Sequence, residues 1–405
     1  MKSELNIVYL GIGIFPHRIA GDKNFLIDLS LELNNLNSKT YFISIAKQAA
    51  QYSDNTINNY LFLPRILHWI PQKHNWFNEQ GDHIAYNHKH SRIQDLIEIS
   101  ATLLYYQKEI RTFLAKSGHN TVIHWLDYIA LIPVVRKVIG SNYKLVASAL
   151  SYVPLSAFKN WIRAQSLSKA DAIITGTSIA KRKLLQDGCT SRFIEPFSWG
   201  TQTAENQIKR KQKRNNITKL LWSGYIQQIG RKDFIEAVDL AKRVITRRSD
   251  IEFTFLFKPE CYQEQFLEYV EPGISIGLNE NSFIQELDQY DALFSPLVRN
   301  DLSLAPPLTW IEALSRGLPV ITTMTVGVEE YIQNKKSGFI FTSWAEMEQW
   351  FMEADINEEL VKMHGSSKRQ FSKKFDIATV SYQYFQLYKK LVYGNGILGA
   401  KRLSR

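Results

Sequence analysis

Apolar residues along this chain gather in short runs, and the stretches between them carry the spacing of amphipathic helices. Residues 7–15 (IVYLGIGIF), 40–45, 121–124, 144–149 and 170–175 read as strands. After the first of these, Leu26, Leu29, Leu33 and Leu36 recur at intervals of three and four and predict a helix. A second series repeats the alternation, with strands at 218–222, 251–257 and 273–276 and helices at 234–244 and 283–290. Residues 178–186 add another helix, and Val380, Tyr384, Leu387 and Leu391 form one stripe of a terminal helix over 377–391. Strands alternating with helices predict an α/β protein on parallel sheets, whose strands are buried on both faces. Residues 51–117 break the pattern. Rich in aromatics and histidine, they read as irregular, a surface loop or a substrate-specific insertion.

The clearest segment is 291–339 (DALFSPLVRNDLSLAPPLTWIEALSRGLPVITTMTVGVEEYIQNKKSGF), which predicts strand, loop, helix, strand, loop, helix. Pro307 stands near the first helical position and Gly317 just past the last, the expected asymmetry of helix ends. The loop before Pro307 therefore opens at the carboxyl end of a strand, where open α/β sheets take their ligands. Glu312 lies about one turn into that helix and, facing forward, aims a carboxylate at the same crevice.

A chain of 405 residues exceeds one ordinary core and predicts two domains of about 200 residues each. The apolar fraction of 45% and charged fraction of 22% are those of a folded protein, with no apolar run of membrane-spanning length. The N-terminal apolar run is broken by glycine and goes straight into a strand, so a cytoplasmic protein is expected. Cys189 and Cys261 give neither a disulfide framework nor metal-ligand spacing. The net charge of +10 asks for an anionic partner: nucleic acid, acidic lipid or a phosphorylated substrate. Its densest clusters, Lys209 to Arg214 and Lys401 to Arg405, lack the aromatic signature of RNA binding, so no nucleic acid is expected. They read either as a solvated linker and tail or as peripheral contact with an anionic membrane.

His124 and Asp127 fall at the carboxyl end of a strand, the right place for chemistry. The competing reading of His124 is a core histidine with its hydrogen bonds met by backbone. His74, His83, His88 and His90 lack cysteine and carboxylate partners at ligand spacing, and no metal site is expected.

Glu312-Ala313-Leu314, then Gly317-Leu318-Pro319-Val320-Ile321, then Gly327 and Glu330 resemble the donor-nucleotide region of retaining glycosyltransferases of family 4, which have the GT-B fold. In that family two glutamates separated by seven residues precede an Ala-Met-Ala-x-Gly-x-Pro-Val-Ile segment. Glu312 matches the second; the first falls on Leu304, with Asp301 three residues early. The resemblance follows the order of elements over most of the chain and is specific over about 295–338. It implies two Rossmann-like β/α/β domains facing across a cleft, with the C-terminal helix crossing back to the first domain. The implied boundaries are an acceptor-side domain at 1–200, a basic linker at 201–216, a nucleotide-sugar-binding domain at 217–374, and a crossover helix with basic tail at 375–405.

The resemblance also implies roles. Gly21 stands in the family's glycine loop, although Ala20 replaces a second glycine; Leu126 replaces the second histidine of a His-x-His, leaving His124 or Asp127 to substitute. Arg231 and Lys232, after the turn at Gly224, fall within a residue or two of the family's lysine, while Tyr225 occupies its arginine position. Cations there stabilise the departing nucleoside diphosphate where charge develops; otherwise they are two solvated charges before a helix. Helix amides at Leu308 and Thr309 receive the phosphates, with Pro306 and Pro307 offering no N–H, and Glu312 accepts hydrogen bonds from the ribose hydroxyls. The implied activity is metal-independent transfer of a sugar from a nucleotide-sugar donor to an envelope glycan, a glycolipid or a small-molecule acceptor, with retention of configuration and without a cofactor. The loss of a carboxylate at Leu304 leaves open a non-catalytic GT-B protein that binds a glycan or a partner transferase.

Overall fold

The apolar runs assemble into two parallel sheets. The computed structural model describes residues 4–12, 21–46, 60–66, 88–150, 152–153, 155–202, 217–224, 228–257, 264–278, 283–298 and 307–394. The first sheet belongs to the series β1 (Leu5–Ile12), α1 (Gly21–Asn35), β2 (Ser38–Ala46), β3 (Tyr60–Pro64), α2 (His88–Tyr105), α3 (Gln107–Ser117), β4 (Thr121–Trp125), α4 (Ile132–Ile139), β5 (Lys144–Ala149), α5 (Ala157–Leu167), β6 (Ala172–Thr175), α6 (Ser178–Gln186) and β7 (Phe193–Pro196). The second belongs to β8 (Thr218–Gly224), α7 (Gln228–Ile245), β9 (Ile251–Phe257), β10 (Ile274–Leu278), α8 (Phe283–Glu286), β11 (Ala292–Phe294), α9 (Leu308–Ser315), β12 (Val320–Thr323), β13 (Gly338–Phe341), α10 (Trp344–Glu353) and α11 (Ile356–Lys374), followed by α12 (Ile377–Tyr393).

Strand order is β3-β2-β1-β4-β5-β6-β7 in the first sheet and β10-β9-β8-β11-β12-β13 in the second. Every pairing between these strands is parallel. All carboxyl ends of a sheet therefore share one edge. In each sheet the chain works outward in one direction and then restarts on the other side of its first strand, so β1|β4 and β8|β11 are topological switch points. The chain forms two compact units, Met1–Phe197 with Ser381–Arg405, and Ser198–Val380. From Ser381 onward α12 thus belongs to the first unit.

Each sheet is buried on both faces. In the first, Val8, Leu10, Ile123, Trp125, Leu145, Ala147 and Ile173 pack with α4 residues Val135 and Val138. The second has an aromatic core in which Phe234 of α7 meets Trp222, Phe255 and Phe257 at ring-centroid distances of 5.5, 5.6 and 5.0 Å. Its opposite face seats Trp310, Ile311 and Leu314 of α9 on Leu221 and Leu293.

Two sequence expectations change. The stretch 51–117 is not irregular where it is described: it holds β3 and the helices α2 and α3. Its hydrophobic positions are diluted because β3 is an edge strand and the helices expose Ile93, Ile97 and Tyr105. Helix α7 starts at Gln228 rather than Phe234, since Gln, Arg and Lys extend a helix as readily as they make a loop. The basic linker lies, from residue 203 to 216, outside the described residues, as does the tail from 395.

Two glycines have opposite structural worth. A Cβ on Gly338 would lie 2.1 Å from the Val320 carbonyl oxygen of the paired strand and 2.9 Å from Ile332. Gly365 sits exposed inside α11, with nothing nearer to a Cβ than the Arg369 guanidinium at 3.6 Å. Gly338→Ala is expected to cost about 3 kcal/mol or more through overpacking, and Gly365→Ala to add about 0.5–1 kcal/mol through helix propensity. Denaturant unfolding of the two variants checks both signs.

Candidate functional site

The second sheet's switch point is built by residues from four elements. Strand β11 ends at Phe294, and the following residues are held by side chains on all sides. Trp310 Nε1 donates to Ser295 Oγ at 2.8 Å, and Thr322 Oγ1 donates to the Ser295 carbonyl at 2.8 Å. Thr323 Oγ1 accepts from the Leu297 amide at 2.8 Å and donates to the Leu297 carbonyl at 2.6 Å. Asp233 of α7 accepts the Val298 amide at 2.6 Å. Burial raises the Asp233 pKa, opposed by that amide and by the charge of Lys232. In the sequence Asp233 immediately precedes the expected helix start at Phe234. It stands four before Ala237 and eight before Ala241, both fully buried, so the helical period had already placed it on the inward face.

Two helices begin beside this point. Helix α7 follows β8 after residues 225–227, and α9 follows the β11 loop. Their amino ends carry unpaired amides and the positive end of the helix dipole, which together favour an anion. In α9 the cap residue is Pro307, with no side-chain cap hydrogen bond, so Leu308 and Thr309 open the helix with their N–H groups outside its i→i−4 ladder. Trp310, Ile311, Ala313 and Leu314 are buried, whereas Leu308, Thr309 and Glu312 are half-buried. Glu312 is four residues beyond Leu308 and therefore on the same side, its side chain tilted toward the amino end. Beyond Ser315 the helix stops in a Schellman turn: Leu318 N–H donates to Ala313 O at 2.9 Å and Gly317 N–H to Leu314 O at 2.9 Å, with Gly317 at φ 76°.

The other candidates in this unit take these places. Gly224 ends β8, and a Cβ there would lie 2.6 Å from the Trp222 ring, which Phe234, Phe255 and Phe257 hold from the other side. Arg231 and Lys232 are the fourth and fifth residues of α7, with Lys232 exposed. Positions 301–306, including Leu304, lie outside the described residues. Gly327, at φ 88°, caps the short 3-10 turn Val328–Glu330, and the Glu330 carbonyl accepts from Lys374 Nζ.

In the first unit the switch point is closed by Asp127, whose carboxylate accepts the Ile12 amide at 2.5 Å and ties the end of β1 to the loop after β4. Gly21 is the first residue of α1; the loop before it, 13–20, lies outside the described residues. His124 is turned away from that edge. Strand alternation puts it on the face opposite Ile123 and Trp125, where α12 covers it. Its Nδ1 is 2.8 Å from Tyr388 Oη and its Nε2 2.8 Å from Ser148 Oγ, with Tyr9 and Tyr384 packed on the ring at 5.5 and 6.2 Å. Side chains, not backbone, satisfy this core histidine. Burial drives its pKa down to about 3, so the ring is neutral and donates through one nitrogen while accepting through the other. The structure thus brings Gly224, Leu308, Thr309 and Glu312 to elements around one switch point, and places His124 and Asp127 in the other unit.

Among the described residues no group of three His, Cys, Asp or Glu could hold a metal ion. His74 and His83 lie outside those residues, and the side chains of His88 and His90 are not described.

No protein-family profile matches the chain, and no curated protein matches it in sequence. Solved structures do match in fold. A glycosyltransferase from Rickettsia africae superposes with a TM-score of 0.69 at 13% identity, covering 96% of this chain and 99% of that one. HepE from Anabaena in complex with UDP gives 0.67 at 11% identity, over 96% and 100%. A TarM mutant from S. aureus, solved with fondaparinux, α-GlcNAc-glycerol and UDP, gives 0.68 at 10%, over 94% and 99%. The fold is GT-B: two Rossmann-like units with the terminal helix returned to the first.

The depressed pKa of His124 makes acid a stress on the first unit. An unfolded histidine takes up a proton below about pH 6.5, while the folded ring resists until about pH 3, so stability falls as pH drops through that window. Wild type is more stable than His124→Gln at pH 7, and their difference is expected to narrow by about 2 kcal/mol on going to pH 5. Denaturant melts of both proteins at the two pH values check it.

Proposed function

We propose that this chain is a retaining, metal-independent glycosyltransferase that moves a sugar from a nucleotide-sugar donor to a hydroxyl acceptor. The observation that carries the proposal is the β8|β11 switch point, where α7 and α9 begin and Glu312 shares a side of α9 with the opening amides of Leu308 and Thr309. A diphosphate suits the two helix starts, with Lys232 and Arg231 supplying positive charge from the first turns of α7. A ribose diol suits the acceptor-only carboxylate of Glu312. Solved neighbours of the same fold include HepE with UDP-glucose and TarM with UDP and a glycosylated glycerol, and these support a donor of this type.

In the proposed reaction the bond from the anomeric carbon to the β-phosphate oxygen breaks, and the acceptor hydroxyl oxygen forms its bond from the same face. The hydroxyl proton goes to the departing phosphate. Charge grows on the diphosphate as its bond to the sugar breaks and before that proton arrives, and there preorganised amides and cations lower the barrier most. No enzyme-borne nucleophile or base is required, and His124, enclosed and neutral, is left out of the chemistry.

The acceptor is proposed to be an envelope glycan or glycolipid intermediate, reached from an anionic membrane surface. Helix α5 supports this: Phe158, Trp161 and Ile162 are 68%, 51% and 44% exposed, with Lys159 exposed among them. Apolar rings beside a lysine are the makeup of a helix lying in a lipid interface. No described helix is long and apolar enough to cross a membrane. Leu304 favours a second reading, a non-catalytic GT-B protein that binds a glycan or a partner transferase.

Calorimetric titration with UDP, GDP, ADP and dTDP, without added metal, is expected to show micromolar binding of one nucleotide. Glu312→Ala should weaken it about ten-fold or more, the worth of a charged hydrogen bond. Failure of all four to bind folded protein removes the transferase proposal, and binding without product from any donor sugar moves the reading to the non-catalytic protein. On vesicles containing phosphatidylglycerol, replacing Phe158 and Trp161 together by Ser is expected to cut co-sedimentation several-fold while leaving nucleotide binding intact. Equal sedimentation of the two proteins would remove α5 from membrane contact.

A further inference from the structure

A cavity of about 210 Å³ opens at the amino edge of the first sheet, the edge opposite the carboxyl ends. Lys144 begins β5, Asp171 directly precedes β6, Arg192 and Phe193 lie at the start of β7, and Lys390 comes from the last turn of α12. These five residues, with Thr190, line it.

Its charge is unbalanced. Asp171 is the carboxylate in the lining, and it is already committed: Oδ2 accepts from Arg136 and from the Leu145 amide at 2.8 Å, and Oδ1 is 3.8 Å from Lys144 Nζ. Among the described residues neither Arg192 nor Lys390 has a carboxylate partner. Both are instead held on one aromatic ring: Lys390 Nζ is 4.2 Å and Arg192 Cζ 5.1 Å from the Phe193 centroid. A ring attracts each cation by cation–π interaction, but two cations on one ring repel each other. An anion beside them would relieve the repulsion, since Arg192 can offer a planar two-point grip and Lys390 and Lys144 point charges. The Thr190 side chain adds a hydroxyl donor.

We infer that this cavity is a binding site for a small phosphate-bearing ligand, distinct from the nucleotide site proposed at the carboxyl edge of the second sheet. Its volume admits a phosphate group with a short organic substituent. A ligand here joins the last turn of α12 to the starts of β5 and β7 and stabilises the first unit by linkage.

The test is thermal unfolding with inorganic phosphate and with glycerol 3-phosphate at constant ionic strength, beside flotation with phosphatidylglycerol vesicles. The variants are the Arg192→Gln/Lys390→Gln double and, as a control at an exposed lysine of the other unit, Lys336→Gln. Wild type is expected to show a saturable rise in Tm with either small phosphate, the double variant to need at least about ten times more ligand, and Lys336→Gln to behave as wild type. If the double variant gives no unfolding transition, Lys144→Gln replaces it, with a several-fold weakening expected. The inference is overturned if neither phosphate gives a saturable rise. It is equally overturned if the double variant needs no more ligand than wild type or if the rise is lost in Lys336→Gln. Capture by vesicles without any effect of the small phosphates also overturns it, since a surface patch would then explain the charge.

Discussion

Parallel pairing is the constraint on which everything else in this protein rests. Because strands in each sheet run the same way, every loop that leaves a carboxyl end leaves on one edge, and every helix that follows begins there. Helix amino ends are positive and their first amides lack partners. The geometry of the sheet alone therefore gathers hydrogen-bond donors along one rim, and the reversal of strand order leaves a gap in that rim at β8|β11. Side chains then need only refine a site that the backbone has already made anion-seeking. The refinement visible here is mostly fixation: Asp233, Thr323, Thr322 and Trp310 lock the residues after β11 before any ligand arrives. Residues 295–298, held from α7, α9 and β12 at once, have little conformational entropy left to lose on binding.

The first unit uses the same architecture with a different emphasis. Its switch point is stapled by Asp127 onto the end of β1, and its interior polar group, His124, joins the sheet to α12. A buried imidazole with both nitrogens engaged is costly to leave unpaired, so the Tyr388 contact specifies where α12 sits as well as stabilising it. Tyr9, Tyr384 and Tyr388 surround the ring with aromatic surface, and burial of this kind drives the tyrosine pKa values upward and that of histidine downward. The terminal segment is held in the first unit by the His124–Tyr388 pair and by the packing of the Tyr384 and Tyr388 rings against His124.

Much of this was legible in the sequence, for reasons that particular residues make plain. Buried parallel strands are apolar on both faces, so 251–257 and 320–323 announce themselves, and Pro307 with Gly317 bracket α9 almost to the residue. The half-buried place of Glu312 was legible too, because its spacing in an otherwise apolar helix sets it apart from the buried positions on either side. Edge strands were harder. Tyr60–Pro64 (YLFLP) and Phe193–Pro196 (FIEP) are short, only partly buried and end in proline, so even the apolar run of the first does not set it apart from a loop. His124 shows the limit of position as evidence: one strand residue earlier or later would have faced the same edge from the other side of the sheet, and the sequence does not say which side α12 covers. Asp233 shows the converse, a polar residue whose burial was written in the helical period but masked by neighbouring charges.

Leu304 bears on how such a rim can be used. On the resemblance, the family has a carboxylate where this sequence has Leu304. A leucine offers no acceptor to a sugar hydroxyl, while helix amino ends keep their attraction for an anion whichever residue stands there. On the proposed reading the change would therefore act on what the site discriminates more than on whether it binds. A hydroxyl-reading site rejects analogues strongly because its polar groups would be left unpaired, whereas an apolar contact tolerates them. On the proposed transferase reading, Lys232, Leu308, Thr309 and Glu312 would meet the diphosphate and ribose of the donor, and the sugar end would be chosen by shape rather than by a charged contact.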